Sequence, residues 1–222
     1  MTPGDHVVDD QDLPVFFLSY GHAHALPLEV ETARNDRVSL FFNDLSADVG
    51  ELVGRAPNEY VGFMDQTFQG GEDWVADLTE ALGGCQVFIP LISSSLVASS
   101  WCGMEWDGFT RRRVIKRDTR VPVRKCPILP VIWTPLDTVE LPTVMDRVQR
   151  FSPQNSSTPA LRRLYLQEGI YGLLNLQPTN AYREVVWRLA RRVVDLHRRY
   201  YVEPLDLDSS ELRNVFAKES SR

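Results

Sequence analysis

Residues 85–106 read CQVFIPLISSSLVASSWCGMEW. Val87 to Ile92 is apolar without alternation, which is the pattern of a strand covered on both faces rather than one. Pro90 removes one ladder donor and predicts a loosened ladder at that point. The serines that follow break the run, and a helix is expected from Ser99 or Ser100, with two tryptophans, a cysteine and Glu105 early in it. A doubly covered strand that feeds a helix is half of a parallel βαβ unit.

The same pattern extends on both sides. Upstream, Val15-Phe16-Phe17-Leu18 is a second short apolar run ending in Ser19-Tyr20-Gly21. From Asp36, the residues Val38, Phe41, Phe42, Leu45, Val49, Leu52 and Val53 recur at helical spacing. Tyr60 to Met64 reads as a strand, Asp65 to Gly71 as a glycine-bearing loop, and Trp74, Leu78, Ala81 and Leu82 as a helical stripe closed by Gly83-Gly84. Downstream, CPILPVIW (126–133) predicts a fourth strand, and 136–165 an irregular connection with a short helix near 160–167. Gly172 to Leu176 reads as a fifth strand. Thr179 or Asn180 starts a final helix whose apolar face runs from Tyr182 to Tyr200. The alternation predicts an open, parallel α/β sheet of five strands with right-handed crossovers and helices on both faces. It is one domain over 14–202, between an N-terminal tail (1–13) and an acidic C-terminal tail (203–222) with little to bury beyond a short helix at 209–218. In such sheets ligands bind outside the carboxyl ends of the strands. Ser19 to His24, Asp65 to Gly71 and Ser93 to Glu105 all follow strand ends, so they can share one crevice.

Composition and missing motifs narrow the chemistry. At 222 residues, 43% hydrophobic and 24% charged, the chain is an ordinary globular domain. No apolar stretch approaches the roughly 18 residues that span a bilayer, and the N-terminal residues lack a basic-then-apolar leader, so a cytoplasmic location is expected. Cys85, Cys102 and Cys126 stand far apart without metal-ligand spacing and read as buried thiols. His22 and His24 lack a third ligand and read as solvated, so no metal is expected. There is no phosphate-binding P-loop, no G-x-G-x-x-G after the first strand, no receiver-type aspartate after the third, and no G-x-S-x-G. Net charge is −6, which argues against nucleic-acid binding. Yet Arg111 to Lys125 carries eight bases and one acid, a net +7, which leaves −13 for the remainder. Those cations are expected at the end of the helix that bears Glu105, favoured there by its dipole and by solvent.

The ordered set FFLSY, FMDQTFQGGEDW, LTEALGGCQVFIPLIS and SSLVASSWCGMEW resembles the TIR domain family (Toll/interleukin-1 receptor-like) over about residues 14–200. The FFLSYGHAH, VIWTPL and IYGLLNL segments look like stand-alone actinobacterial members. The resemblance implies a flavodoxin-like sheet of order 2-1-3-4-5. Many bacterial and plant members, and one animal branch, cleave NAD at the nicotinamide-ribose bond, while others only assemble. In the hydrolases the essential carboxylate lies in an S-x-W-C-x-x-E-like motif after strand 3, which here is Glu105, with Trp101 completing W-x-x-x-E. The resemblance also places Ser19, Tyr20 and Gly21 at the pocket floor, Asp65 and Phe68 on a gating loop, and Trp74, Ser93 and Trp101 on the substrate side. Packing for residues 19–21, an Asx turn at Asp65 and a core position for Trp74 are the alternatives. NAD would be a substrate and no cofactor is implied. Partners would be further TIR domains or an unidentified activating protein, with no membrane. GHAHALPLE departs from the polar or acidic residues that many members carry at this loop, so recognition beyond the nicotinamide end is not carried over.

A lone carboxylate suits that reaction. Ordinary glycosidases need a second carboxyl group to protonate the leaving oxygen. Nicotinamide leaves from a cationic pyridinium and departs neutral, so stabilising an oxocarbenium-like ribose is what remains. Capping does not explain Glu105, because the capping-box positions after Ser99 and Ser100 hold Cys102 and Gly103. The rival readings are an interaction module without activity and an enzyme that cleaves a nucleotide other than NAD.

Overall fold

The computed structural model describes residues 13–21, 28–55, 60–64, 74–137, 139–153, 159–176 and 179–217. Its centre is β1 (Phe16–Ser19), fully buried, because its residues contact helices on both faces and strands on both edges. β1 pairs in parallel with β2 (Gly62–Met64) and with β3 (Val87–Ile92), and β3 pairs with β6 (Val131–Ile132), giving a parallel sheet of order β2-β1-β3-β6. β3 runs on through Pro90. The last residue of β1, Ser19, stands opposite Pro90, so the missing donor falls where that ladder ends.

Helices cover both faces. α1 (Leu28–Val53) begins earlier than its apolar stripe predicted and buries Val38, Phe41, Leu45 and Val49. It packs along α7 (Thr179–Arg199), where the Tyr182 hydroxyl donates to Asp44 at 2.8 Å. α2 (Trp74–Gly84), the short α3 (Ser94–Ala98) and α4 (Ser100–Thr110) follow β2 and β3. Among the described residues no helix is long and apolar enough to cross a membrane.

Four sequence expectations are corrected. The fifth strand is absent: residues 172–176 fall in or just beyond α6 (Pro159–Asn175), after the four-residue α5 (Thr143–Asp146). The reason lies in how the edge of β6 is closed. Ile132 N donates to the Tyr165 hydroxyl at 2.9 Å and Phe151 N to Pro130 O at 2.8 Å, so neighbouring segments already satisfy the outer edge. Gly169 breaks α6 at φ 64°, ψ −177°, a conformation open to glycine alone, and a Cβ there would lie 2.5 Å from Trp133 O. Past this break Tyr171 N donates to Trp133 O at 2.9 Å, and the chain turns helical with Ile170 and Leu173 buried at a spacing of three rather than two. The five-stranded order 2-1-3-4-5 is therefore met only in its first four places.

Second, the basic run is not a helix end. It forms the hairpin of β4 (Val114–Lys116) and β5 (Pro122–Val123), and β4 pairs antiparallel with β7 (Tyr200–Val202) in a second sheet of order β5-β4-β7. Third, the predicted strand over 126–133 is reduced to β6 and a single bridge between Phe88 and Ile128. Fourth, residues after Tyr201 do bury side chains. Leu207 and Phe216 enter the core, and among the described residues the predicted 209–218 helix is reduced to a 3-10 turn at Ser209–Glu211.

One buried cation joins the two sheets. Arg112, 4% exposed, donates to the carbonyls of Leu82 (2.9 Å), Cys85 (2.6 Å), Val202 (3.1 Å) and Glu203 (3.2 Å). Burial pulls its guanidinium below its ordinary value and the neighbouring Cys85 opposes that shift, yet a guanidinium remains protonated near neutrality. Beside it, Gln86 accepts from Val202 N (3.0 Å) and donates to Val202 O (3.1 Å). Replacing Arg112 with Met strips these carbonyls of a charged donor, so Arg112→Met is expected to destabilise by about 3 kcal/mol in urea titration. Hydrogen exchange should quicken at β7 before it does at β1.

Candidate active site

Two serines set the direction of the helix that carries Glu105. Ser93, extended at φ −155°, accepts from Leu96 N at 3.2 Å and starts α3. Ser99, extended at φ −81° and ψ 118°, ends α3 and caps α4 by accepting from Cys102 N at 3.2 Å. The break at Ser99 lets α4 take its own direction. Glu105 is then turned inward and is 3% exposed, an unusual position for a carboxylate.

Its partner comes from the other side of the sequence. The Ser19 hydroxyl, at the carboxyl end of β1, donates a hydrogen bond to Glu105 Oε2 across 86 positions. Ser19 is itself 1% exposed. Gly21 brings the strand end still closer to the start of α3, because a Cβ there would fall 2.2 Å from the Ser95 carbonyl carbon. Only glycine permits that approach. The end of β1 and the segment leaving β3 thus meet around one buried acid, at the carboxyl edge of the parallel sheet.

An aromatic pair stands on the same helix. Trp101 precedes Glu105 by one turn, and its ring lies 5.2 Å from Trp74 at the start of α2, tilted by 32°. Its indole Nε1 is buried without a hydrogen-bond partner among the described residues. A buried donor left unpaired costs about 1–3 kcal/mol, so this N–H offers a place for an acceptor.

The structure therefore brings Ser19 directly onto Glu105, Gly21 against the Ser95–Leu96 backbone, and Trp74 onto Trp101. Tyr20 is buried beside Ser19, 7% exposed. The Ser93 side-chain oxygen is engaged in capping α3, which gives it a definite structural task. Asp65 and Phe68, with His22 and His24, lie outside the described residues. Among the described residues no three His, Cys, Asp or Glu side chains are grouped to hold a metal.

Sequence reasoning missed what braces α4 from behind. Phe216 packs edge-on against Trp106 at 5.8 Å, and Asn214 sits so close to Gly103 that a Cβ there would lie 2.0 Å from Asn214 Oδ1. Asp107 accepts from Arg213 N at 2.9 Å and from Arg111 at 2.6 Å. The available signal was the small, apolar and acidic order Gly103, Trp106, Asp107 on α4 against Asn214 and Phe216.

The sequence model of the TIR domain matches residues 52–164, from the end of α1 into α6 and including Trp74, Trp101 and Glu105. The chain belongs to the TIR domain family. No curated protein matches it. Ser19 lies outside the matched stretch and is tied to it only by the fold.

Two expectations follow from the geometry. Ser19→Ala removes a hydroxyl donor from a buried carboxylate and should destabilise by about 1–3 kcal/mol, with less effect once Glu105 is already Gln. A double-mutant cycle by chemical denaturation measures that coupling. Burial pushes the Cys85 thiol up to about 11 and the Cys126 thiol up to about 12, so little thiolate exists at pH 8 and alkylation of both should be slow in the native protein and fast in urea.

Proposed function

We propose that this TIR domain is an NAD glycohydrolase with Glu105 as its catalytic carboxylate, active when assembled with further copies or with a partner. The observation that carries the reading is the pairing of a buried Glu105 with Ser19 at the carboxyl edge of the parallel sheet, one helical turn from the Trp74–Trp101 pair. Family membership supports it at the level of the class.

The chemistry needs few parts. The bond between ribose C1′ and the pyridinium nitrogen breaks with its electron pair going to nitrogen, which neutralises the pyridinium. Water then adds to C1′ and loses a proton, giving nicotinamide, ADP-ribose and H⁺. Positive charge grows on C1′ and the ring oxygen as the bond breaks, and a fixed anion close by lowers that barrier without having to reorganise. Ser19 acts as a positioning residue for that anion. Its hydroxyl restricts the carboxylate to one orientation, which matters because misplacement by an ångström can cost a large part of the rate. Tyr20 and Gly21 extend the floor, and Asp65 and Phe68 belong to the loop assigned to gating. The Trp74–Trp101 pair supplies an apolar wall, and the unpaired Trp101 N–H a donor for a carbonyl such as that of the carboxamide.

A second reading, an interaction module without turnover, is favoured by one surface. Arg120, Arg124 and Lys125 on the hairpin are exposed and unpaired among the described residues, on a chain whose net charge is −6. Five other cations of the same run are engaged within the fold: Arg111 with Asp107, Arg112 with carbonyls, Arg113 with Glu203, Lys116 with Asp118, and Arg117 with the carbonyls of His197 and Tyr200. This leaves a smaller basic surface than the sequence count implied.

Purified protein incubated with NAD at high concentration or with a crowding agent should release nicotinamide, and Glu105→Gln should lower the rate by roughly 100-fold or more. Equal turnover by the variant would remove Glu105 from the assignment. No turnover at any concentration, together with self-association that weakens with salt, would favour the interaction module. A panel of other nucleotides assayed for free base separates NAD from related substrates.

A further inference from the structure

At the other end of the sheet from Glu105, a cleft of about 450 Å³ lies between α7 and residues 149–153. Arg188, Arg191, Arg192 and Asp195 stand at i, i+3, i+4 and i+7 on α7 and form one wall. Arg150 faces them from the second wall, and Leu129, Phe151 and Pro153, all buried residues, supply an apolar floor. That second wall is fixed. Phe151 N donates to Pro130 O at 2.8 Å, and the Phe151 ring packs edge-on against Tyr165 at 5.6 Å.

The charge balance is lopsided. Arg188 is held by Glu184 (2.6 Å) and Arg192 by Asp195 (2.6 Å), so these two forks are pre-oriented and largely neutralised. Arg150 and Arg191 are exposed, and no acid pairs with either among the described residues. Four guanidinium groups against a single lining carboxylate is not what the composition dictates, since the chain as a whole carries −6. Two uncompensated arginines lining one cleft repel one another, and an anion between them relieves that.

The geometry points to a binding site for a nucleoside polyphosphate, with Arg150 and Arg191 as the phosphate ligands and the Leu129–Phe151–Pro153 floor beneath the base. Arginine forks match oxyanions two oxygens at a time, which disfavours a halide, and two free forks on opposite walls suit a chain of phosphates, with more than one anionic group, better than a single carboxylate. The volume falls in the range of small-molecule sites. An extended polyanion such as nucleic acid is disfavoured, because the chain as a whole carries −6. The site is separate from the proposed catalytic crevice: Leu129 N bonds to Phe88 O near the start of β3, whereas Glu105 meets the carboxyl end of β1.

The test is a calorimetric titration of the full chain carrying Glu105→Gln, which removes turnover as a source of heat, with ADP, inorganic pyrophosphate, adenosine and phosphoinositide-containing vesicles in EDTA. ADP and pyrophosphate should bind, adenosine should bind at least about tenfold more weakly, and ADP affinity should fall as salt rises through ~0.5 M. The Arg150→Glu/Arg191→Glu pair should weaken ADP by about tenfold or more, the Arg150→Lys/Arg191→Lys pair by less, and Arg124→Glu on the hairpin, which does not line the cleft, should change little. Because Arg150 and Arg191 are exposed, the variants should melt with the parent, which checks that they fold. ADP binding untouched by the double reversal would overturn the site, since the ligand would then sit elsewhere. Adenosine binding as tightly as ADP, silence towards both ADP and pyrophosphate at millimolar concentration, or binding to vesicles alone would overturn it as well.

Discussion

A guanidinium buried among carbonyls is the constraint on which the remaining parts of the molecule depend. Removing a cation from water is costly, and Arg112, with no carboxylate partner among the described residues, offsets that by donating to four carbonyls from three places in the chain. The arrangement fixes three things together. It sets the C-terminal end of α2, the entry into β3, and the position of β7. Because Arg112 follows α4 directly, it also anchors the end of the helix that carries Glu105. An Arg-to-carbonyl cluster has no ion-pair partner that can exchange, so the α4 terminus and the second sheet are held in one relation.

From that anchor the candidate site is assembled by short polar contacts at the ends of elements rather than by their interiors. Ser93 and Ser99 each start a helix, and the gap between those helices turns Glu105 inward. Gly21 admits the close approach that the buried acid needs, and Ser19 answers the acid with a hydroxyl. Every one of these residues is small or polar and lies at the carboxyl edge of β1 or β3. That edge is where a parallel α/β sheet concentrates exposed backbone and loop residues, so the site follows from topology before it follows from chemistry.

How far the sequence could be read depended on the kind of signal. β1 and β3 were legible because doubly buried strands are continuous apolar runs, and α1, α2 and α7 because their apolar residues recur at helical spacing. GLLNL was not, since a short apolar run has no period of its own, and its helical state is decided by Gly169 and by Tyr165 closing the edge of β6. The basic run hid a hairpin, because its charges drew attention away from Val114, Ile115 and Val123, which pair across the strands. In the site, Glu105 stood out as an acid that capping could not explain, and Ser19 as a strand end. Their contact could not be read, because 86 positions separate them and only the parallel pairing of β1 with β3 brings them together.

The segment after β7 changes how the limits of the folded unit are drawn. By strands and helices alone the α/β unit closes at Val202, which is where the apolar pattern of the sequence also stops. Yet Leu207, Asn214 and Phe216 pack along α4 at Gly108, Gly103 and Trp106, so the helix is held both by β1 and by the residues past the last strand. A chain trimmed at Val202 would keep its secondary structure and lose one of those two supports. Circular dichroism would then report an intact protein while the carboxylate had gained room to wander, so helical content alone is a poor certificate for any shortened or fused version of this domain.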